Sequence, residues 1–257
     1  MGMVTESTGR GDADRSLMLL WRHHLDEPQS TRGPKQKTSV DEVVSVAIAL
    51  ADEEGLEALS MRRVAERLGL GVMSLYTYVP GKAELVDLMV DTTAGEQELP
   101  EHPGDVRSRL EYIARLQWEL YRAHPWLLQI DTSRPPLGPH VSDRYEWQLR
   151  AVEGIGLDDI EMDQVVTLVS GFVAGPARAA ADAERMRNDS GVTDAEWWEA
   201  NAPVLERVMD GSRYPVSGRV GAAAGEAYEA PANPDLAFEF GLARVLDGVE
   251  LLIASRA

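Results

Sequence analysis

SMRRVAERLGLGVMSLYTYVPGK, residues 60–82, is the stretch on which the reading of this chain turns. Ser60 is placed to cap a helix, its hydroxyl accepting one of the backbone N–H groups that a first helical turn leaves unpartnered. From Met61 to Leu68 the apolar residues Val64, Ala65 and Leu68 fall on one helical face. Gly69 stands where a tight turn between two helices needs a left-handed residue, a conformation that is cheap only without a Cβ. Ala65 is small enough for a second helix to cross closely. Val72 to Tyr78 then read as that second helix, with Leu75 turned back onto the pair and Val72, Met73, Ser74, Thr77 and Tyr78 turned outward. This spacing predicts a helix-turn-helix whose second helix lies in the major groove of DNA. The competing reading is an ordinary core hairpin with Arg62, Arg63 and Arg67 as solvated charges.

Charge separates the two readings. The chain of 257 residues carries a formal net charge of −18, which by itself argues against a nucleic-acid partner. The charge is unevenly spread, however. Residues 60–82 carry a net +3, residues 28–40 another +3, and the remainder −24. A chain with basic islands at one end can face phosphate there and stay dissolved through the other. The absence of cysteine excludes disulfides, thiolate metal sites and cysteine nucleophiles, and fits a reducing compartment. Leu17–Trp21 is too short for a signal-peptide core, and no apolar run is long enough to span a bilayer, so a cytoplasmic protein without membrane contact is expected.

Residues 1–37 read as a flexible, basic arm. Up to Arg15 the composition is too polar to fold alone, and Leu17–Leu25 has room for one or two helical turns. Gly33-Pro34 keeps the basic segment extended. Arg32, Lys35 and Lys37 are candidates for minor-groove contact, with a leader that has no role as the alternative. A first helix begins at Ser39, where Ser39 and Glu42 have capping-box spacing. Val40, Val43, Val44, Ala47, Leu50 and Ala51 follow at helical intervals, Asp41, Asp52 and Glu53 face outward, and Gly55 ends the helix. After the Pro80-Gly81 turn, a further helix starts at Lys82 and runs through Leu85, Leu88 and Met89. A lysine beside free helix N–H groups is a natural phosphate clamp.

Ser39–Asp91 resembles the DNA-binding domain of the TetR family of bacterial transcriptional repressors. The motifs are the SMRRVAERLG helix, the turn at Leu70-Gly71-Val72, the SLYTYV helix and the lysine after it. The basic arm and the LLW at residues 19–21 resemble an actinomycete subgroup. The expected fold is all-α, with a three-helix DNA-binding unit in residues 38–95 and a helical ligand-binding and dimerisation bundle in 96–257. The residues expected at DNA are Ser60, Arg62, Val72, Met73, Ser74, Tyr76, Thr77, Tyr78 and Lys82, with Arg32 and Lys35 from the arm. The expected partners are a palindromic double-stranded operator, a second copy of the chain and a small, largely apolar effector that releases DNA by shifting a conformational population. Control by a protein partner is the alternative. An acidic scaffold or enzyme with an incidental helix-turn-helix is the more distant one.

Beyond residue 95 the resemblance is architectural. EQELPEHPG (residues 96–104) breaks the helical pattern and bounds the halves. Helices are read over 106–123, around Tyr145–Val152, over 158–187 with a kink at Pro176, over 197–209 and over 236–253. His124-Pro125 is a stop, and Arg134–His140 is a loop with three prolines. Gly171, Ala174, Gly175, Ala177, Ala179 and Ala180 let another helix approach. The resemblance implies that the two long late helices build a four-helix dimer interface. The alternative is that their stripe (Phe238, Leu242, Val245, Leu246, Val249, Leu252) is intrachain core. Gly218, Gly221 and Gly225 read as a flexible loop. The effector candidates are the aromatic residues Tyr112, Trp118, Trp126, Tyr145, Phe172 and Trp197, with Gln117, His124 and Gln148 as polar partners, core packing being the alternative for each. The five histidines lack metal-site spacing, Asn188 opens a chance sequon, and no residue pair has a catalytic context. No metal, cofactor or enzymatic activity is expected.

Overall fold

The structure, a computed structural model, describes residues 6–25 and 38–256. Among these the chain is all helical, with a lone bridge between Ser7 and Asp131 in place of any strand. The head comprises α1 (Ala13–Leu20), α2 (Val40–Glu54), α3 (Met61–Arg67), α4 (Val72–Leu75) and α5 (Lys82–Ala94). The Ser39 hydroxyl accepts the Glu42 N–H at 3.1 Å and so starts α2. The box is only half closed, because the Glu42 carboxylate accepts from the Thr38 hydroxyl at 2.6 Å. Val43, Val44, Ala47, Leu50 and Ala51 are buried as their spacing requires, and Gly55 ends the helix at φ +83°. Gly69 takes φ +65° between α3 and α4, in the left-handed region its position called for. Leu75 and Val79 close this core from above, and α5 runs through it, buried continuously from Glu84 to Asp91.

Of the arm, residues 6–25 are packed on the rest of the chain. Asp12 caps α1, Leu20 reaches the head core, and Thr8 and Ser16 are buried. A polar segment of this kind cannot order itself, but here α5 supplies acceptors. Asp87 takes the N–H of Gly9 at 2.9 Å, and Glu84 that of Asp12 at 3.2 Å. Arg32, Lys35 and Lys37 lie outside the described residues.

The second half holds α6 (Val106–Ala123), α7 (Pro139–Arg150), α8 (Asp159–Ser190), α9 (Asp194–Val208), α10 (Pro215–Tyr228) and α11 (Pro234–Ala254). Its core is made by Leu110, Ile113, Ala114 and Trp118 of α6, Val165, Val166, Val169 and Val173 of α8, and Phe238, Leu242, Leu246 and Val249 of α11. The late stripe is therefore intrachain core. A second apolar set stays on the outside, with Ile160 and Leu168 on α8 and Leu236, Phe240 and Leu251 on α11. A Cβ on Gly171 or Gly175 would also meet open space.

Three other expectations change. The segment with Gly218, Gly221 and Gly225 is a helix, not a loop. Its Pro215 suits a first turn, and the run Ala222–Ala224 offsets the glycines. α9 starts before Trp197, at a capping box of Thr193 and Glu196. α8 holds Pro176 within its length, as read, but ends at Ser190 and not at Arg187.

Candidate functional site

The surface of the head is organised around α4. Ser60 Oγ caps α3 by accepting the Arg63 N–H at 3.3 Å. Arg63 meets both carboxylate oxygens of Glu54 at 2.6 Å, and Arg67 meets Glu53 and Glu54 at 2.8 Å. Those two arginines tie α3 to the end of α2. Arg62 remains outside, paired with Glu66 one turn on. Leu75 is fully buried and pins α4 to the core, which leaves Met73 at 78% exposure, with Ser74, Tyr76 and Thr77 beside it. Val72 and Tyr78 are not free outward side chains. Both are half-buried against the head core, where they set the tilt of α4. Lys82 opens α5, and its Nζ lies 2.8 Å from the carboxylate of Glu6.

The joint between the halves is polar, a buried imidazole held between two exposed carboxylates. His124 follows α6 and bridges the head: its Nδ1 lies 2.8 Å from Asp52 of α2 and its Nε2 2.7 Å from Glu96 beyond α5. The indole N–H of Trp126 donates to the same Asp52 oxygen at 2.7 Å. Trp126 and Ile130 then bury in the head core although they come from the other half of the chain. Burial works against a charged imidazole, but the Asp52 and Glu96 carboxylates outweigh it and hold the His124 pKa above its ordinary value. Asp52, exposed as its place on the outward face of α2 predicts, and Glu96 were missed as partners because their spacing to His124 is non-local. A second tie runs through α7. Asp91 accepts the Val141 N–H at 3.0 Å, and Arg144 donates to Ala94 O at 3.2 Å. Burial pushes the Asp87 and Asp91 carboxyls up in pKa.

A cleft of about 580 Å³ opens between the end of α6, the alanine-rich middle of α8 and the segment leading into α11. Trp118 forms one wall, stacked on Phe238 with ring centroids 4.5 Å apart. Ala177, Ala180 and Ala181 form the facing wall, and Arg122, Glu184 and Arg187 stand among its polar residues. Of the nine effector candidates, Trp118 alone lines this cleft. His124 and Trp126 belong to the joint, and Gln117 donates to the Tyr121 hydroxyl at 3.0 Å. Phe172 stacks behind Phe238, while Tyr112 packs on the bundle core and Gln148 is buried. Tyr145 donates outward to Asp163, and Trp197 stacks on Trp198 on an exposed helix. The alanines are what opens this cleft, since a row of small side chains leaves room between helices.

Residues 43–89 match the family of bacterial regulatory proteins of the tetR family, and residues 99–253 match the tetracyclin repressor-like C-terminal domain. The chain is 45% identical over 255 residues to the HTH-type transcriptional repressor DrrR1 of Streptomyces coeruleorubidus, covering 98% of this chain and 91% of that one. Among solved structures, apo ActR from Streptomyces coelicolor aligns with a TM-score of 0.68 at 27% identity, over 87% of this chain and 100% of that one. ActR in complex with actinorhodin aligns at 0.66 with 29% identity, over 82% and 94% respectively.

Proposed function

Since the chain belongs to the TetR family of bacterial transcriptional regulators and is a ligand-responsive DNA-binding repressor, we propose that α4 reads an operator in the major groove while Lys82 sets its register on the phosphates. Met73, Ser74, Tyr76 and Thr77 are the side chains available to base edges, and Arg62 and Ser60 approach the backbone. Val72 and Tyr78 act indirectly, by holding α4 at its angle. A four-residue helix reads few base pairs, so the operator is a palindrome read by two copies about one helical turn apart. The copies meet through the outer apolar faces of α8 and α11. Acting on DNA, the protein works in the cytoplasm, and we assign it no catalytic step.

The effector enters the cleft beside Trp118. A slot between an indole and a row of alanines suits a flat, largely apolar molecule, and Arg122, Glu184 and Arg187 supply polar partners for its edge. One observation carries the coupling to DNA. Tyr121, Arg122 and Pro125 line the cleft, and His124 and Trp126, within the same six residues, plug into the head. An effector that prefers a wider slot moves this stretch, turns each head on its bundle, and separates the two copies of α4 from their groove spacing. Only a difference in affinity between the two conformers does this, whatever the total affinity. Control by a protein partner would leave a cleft at the joint without a use. Footprinting on the chain's own upstream DNA at several salt concentrations tests the reading. The expected result is a protected palindrome with steep salt dependence. Trp118→Ala keeps that protection and loses effector release. Failure to select any specific site from the whole genome would overturn it.

A further inference from the structure

Residues 6–25 form a strap with contacts on both halves of the molecule. On the head side, Gly9 and Asp12 donate to Asp87 and Glu84 of α5, and the Arg22 guanidinium pairs with Asp41 of α2. On the other side, the Asp131 backbone pairs with two strap residues: Thr8 N–H donates to Asp131 O at 3.1 Å, and Asp131 N–H to Glu6 O at 2.9 Å. The Thr8 hydroxyl donates to Arg134 O at 2.6 Å, and the Trp21 indole N–H to Leu137 O at 2.8 Å. The fit is close. A Cβ on Gly9 would lie 3.0 Å from that of Arg134, and one on Gly11 2.7 Å from the Glu84 carboxylate. The strap's register is therefore set, and that register delivers Glu6 to Lys82 at 2.8 Å.

Lys82 is the first residue of α5, and among the described residues no side chain caps that helix at its start. Its ammonium and the free N–H groups form the kind of place where a DNA phosphate is held. In this structure a carboxylate from the same chain holds the ammonium. Both partners are partly buried, with 32% and 22% of their side chains exposed, so the pair is less screened than one at the open surface. We propose that Glu6 is an internal competitor of DNA phosphate for Lys82, and that the 131–137 segment of the effector-binding half holds it there. This rests on the reading of Lys82 as a phosphate contact. DNA binding then requires the strap to yield its carboxylate, and the effector-binding half has a second hold on the head, made through the strap on α5.

Phosphate contacts carry no sequence information, so a short duplex of mixed sequence is a sufficient probe. Its affinity for the full chain is followed by fluorescence anisotropy at several salt concentrations. Glu6→Gln is nearly isosteric and is expected to tighten binding about threefold, the scale of one partly exposed ion pair. Asp14→Asn removes the same charge from an exposed position on α1 and controls for the general field. In a Lys82→Ala background the gain from Glu6→Gln disappears. Thr8→Val, which cuts the bond to Arg134 O, moves affinity in the same direction as Glu6→Gln.

The competition is overturned if Glu6→Gln binds no tighter than Asp14→Asn, or if its gain survives intact in Lys82→Ala. An unchanged affinity in Thr8→Val overturns the hold by residues 131–137. Lys82→Ala alone separates this proposal from its premise. It is expected to weaken binding and lower the salt slope by about one unit. If it binds as the unaltered chain does, the phosphate reading fails and the competition fails with it.

Discussion

The head and the α9–α10 pair treat their apolar residues in opposite ways. Val43, Leu50, Val64, Ala65, Leu75, Val79 and Leu85 of the head have no exposed surface. α9 buries none of its residues and α10 buries only Gly225, whose built Cβ would lie 2.8 Å from the Trp198 ring. Amphipathic spacing says which face of a helix is apolar. It does not say which molecule covers that face. The head closes its core within one chain and can therefore present a rigid α4. The late helices keep apolar surface that a single chain leaves uncovered.

The sharpest way to break this contrast is to empty the head. Leu75→Ala removes the side chain that pins α4, at an expected cost of about 2–5 kcal/mol in urea unfolding, with loss of operator binding. A cost below about 1 kcal/mol would mean that the head is not the closed core described here. Next comes the outer face of the bundle. Leu168 on α8 is half exposed in the single chain. Leu168→Asp is expected to weaken self-association by about 2–3 kcal/mol in sedimentation equilibrium, while each chain keeps its helicity. Unchanged association would show that the copies meet elsewhere.

The head was legible because its signals are local. Ser39, Ser60, Gly55 and Gly69 act within one turn of themselves, and the apolar spacing of α2 and α3 needs no partner to be read. The cleft proposed for the effector was not legible, since it is made by α6, α8 and the segment before α11, which meet only in three dimensions. Aromatic residues were the obvious marker there, but Trp126 and Phe172 are needed as core, and the cleft's facing wall is alanine. The strap was illegible for a related reason. Nothing in a polar N-terminal segment announces that Glu84 and Asp87, far along the chain, will accept its backbone N–H groups.

The polar joint gives a smaller effect with a pH signature. Because the folded-state pKa of His124 is raised, its contribution is complete below the ordinary imidazole value of about 6.5 and is lost as pH rises through the higher native value. His124→Asn is expected to cost about 1–2 kcal/mol at the acidic end of this range and progressively less at the alkaline end. The buried Asp87 and Asp91 also titrate with raised pKa values, but they do so in both proteins and cancel from the difference. A gap that widened with pH would mean the imidazole links Asp52 and Glu96 as a neutral group.

The smallest expected effect is on α10. Val216 is 63% exposed, so Val216→Ser removes almost no buried surface from the single chain. In dilute protein the change is expected to stay within about 0.5 kcal/mol in urea unfolding, the range for surface positions. Repeating the measurement at high concentration sharpens the comparison with the head. If the second copy covers only α8 and α11, the value does not move. If it also reaches across α10, the cost grows with concentration, because the buried area then belongs to the dimer and mass action makes its loss visible. Leu75→Ala has no such concentration dependence, since the surface it uncovers is internal to one chain.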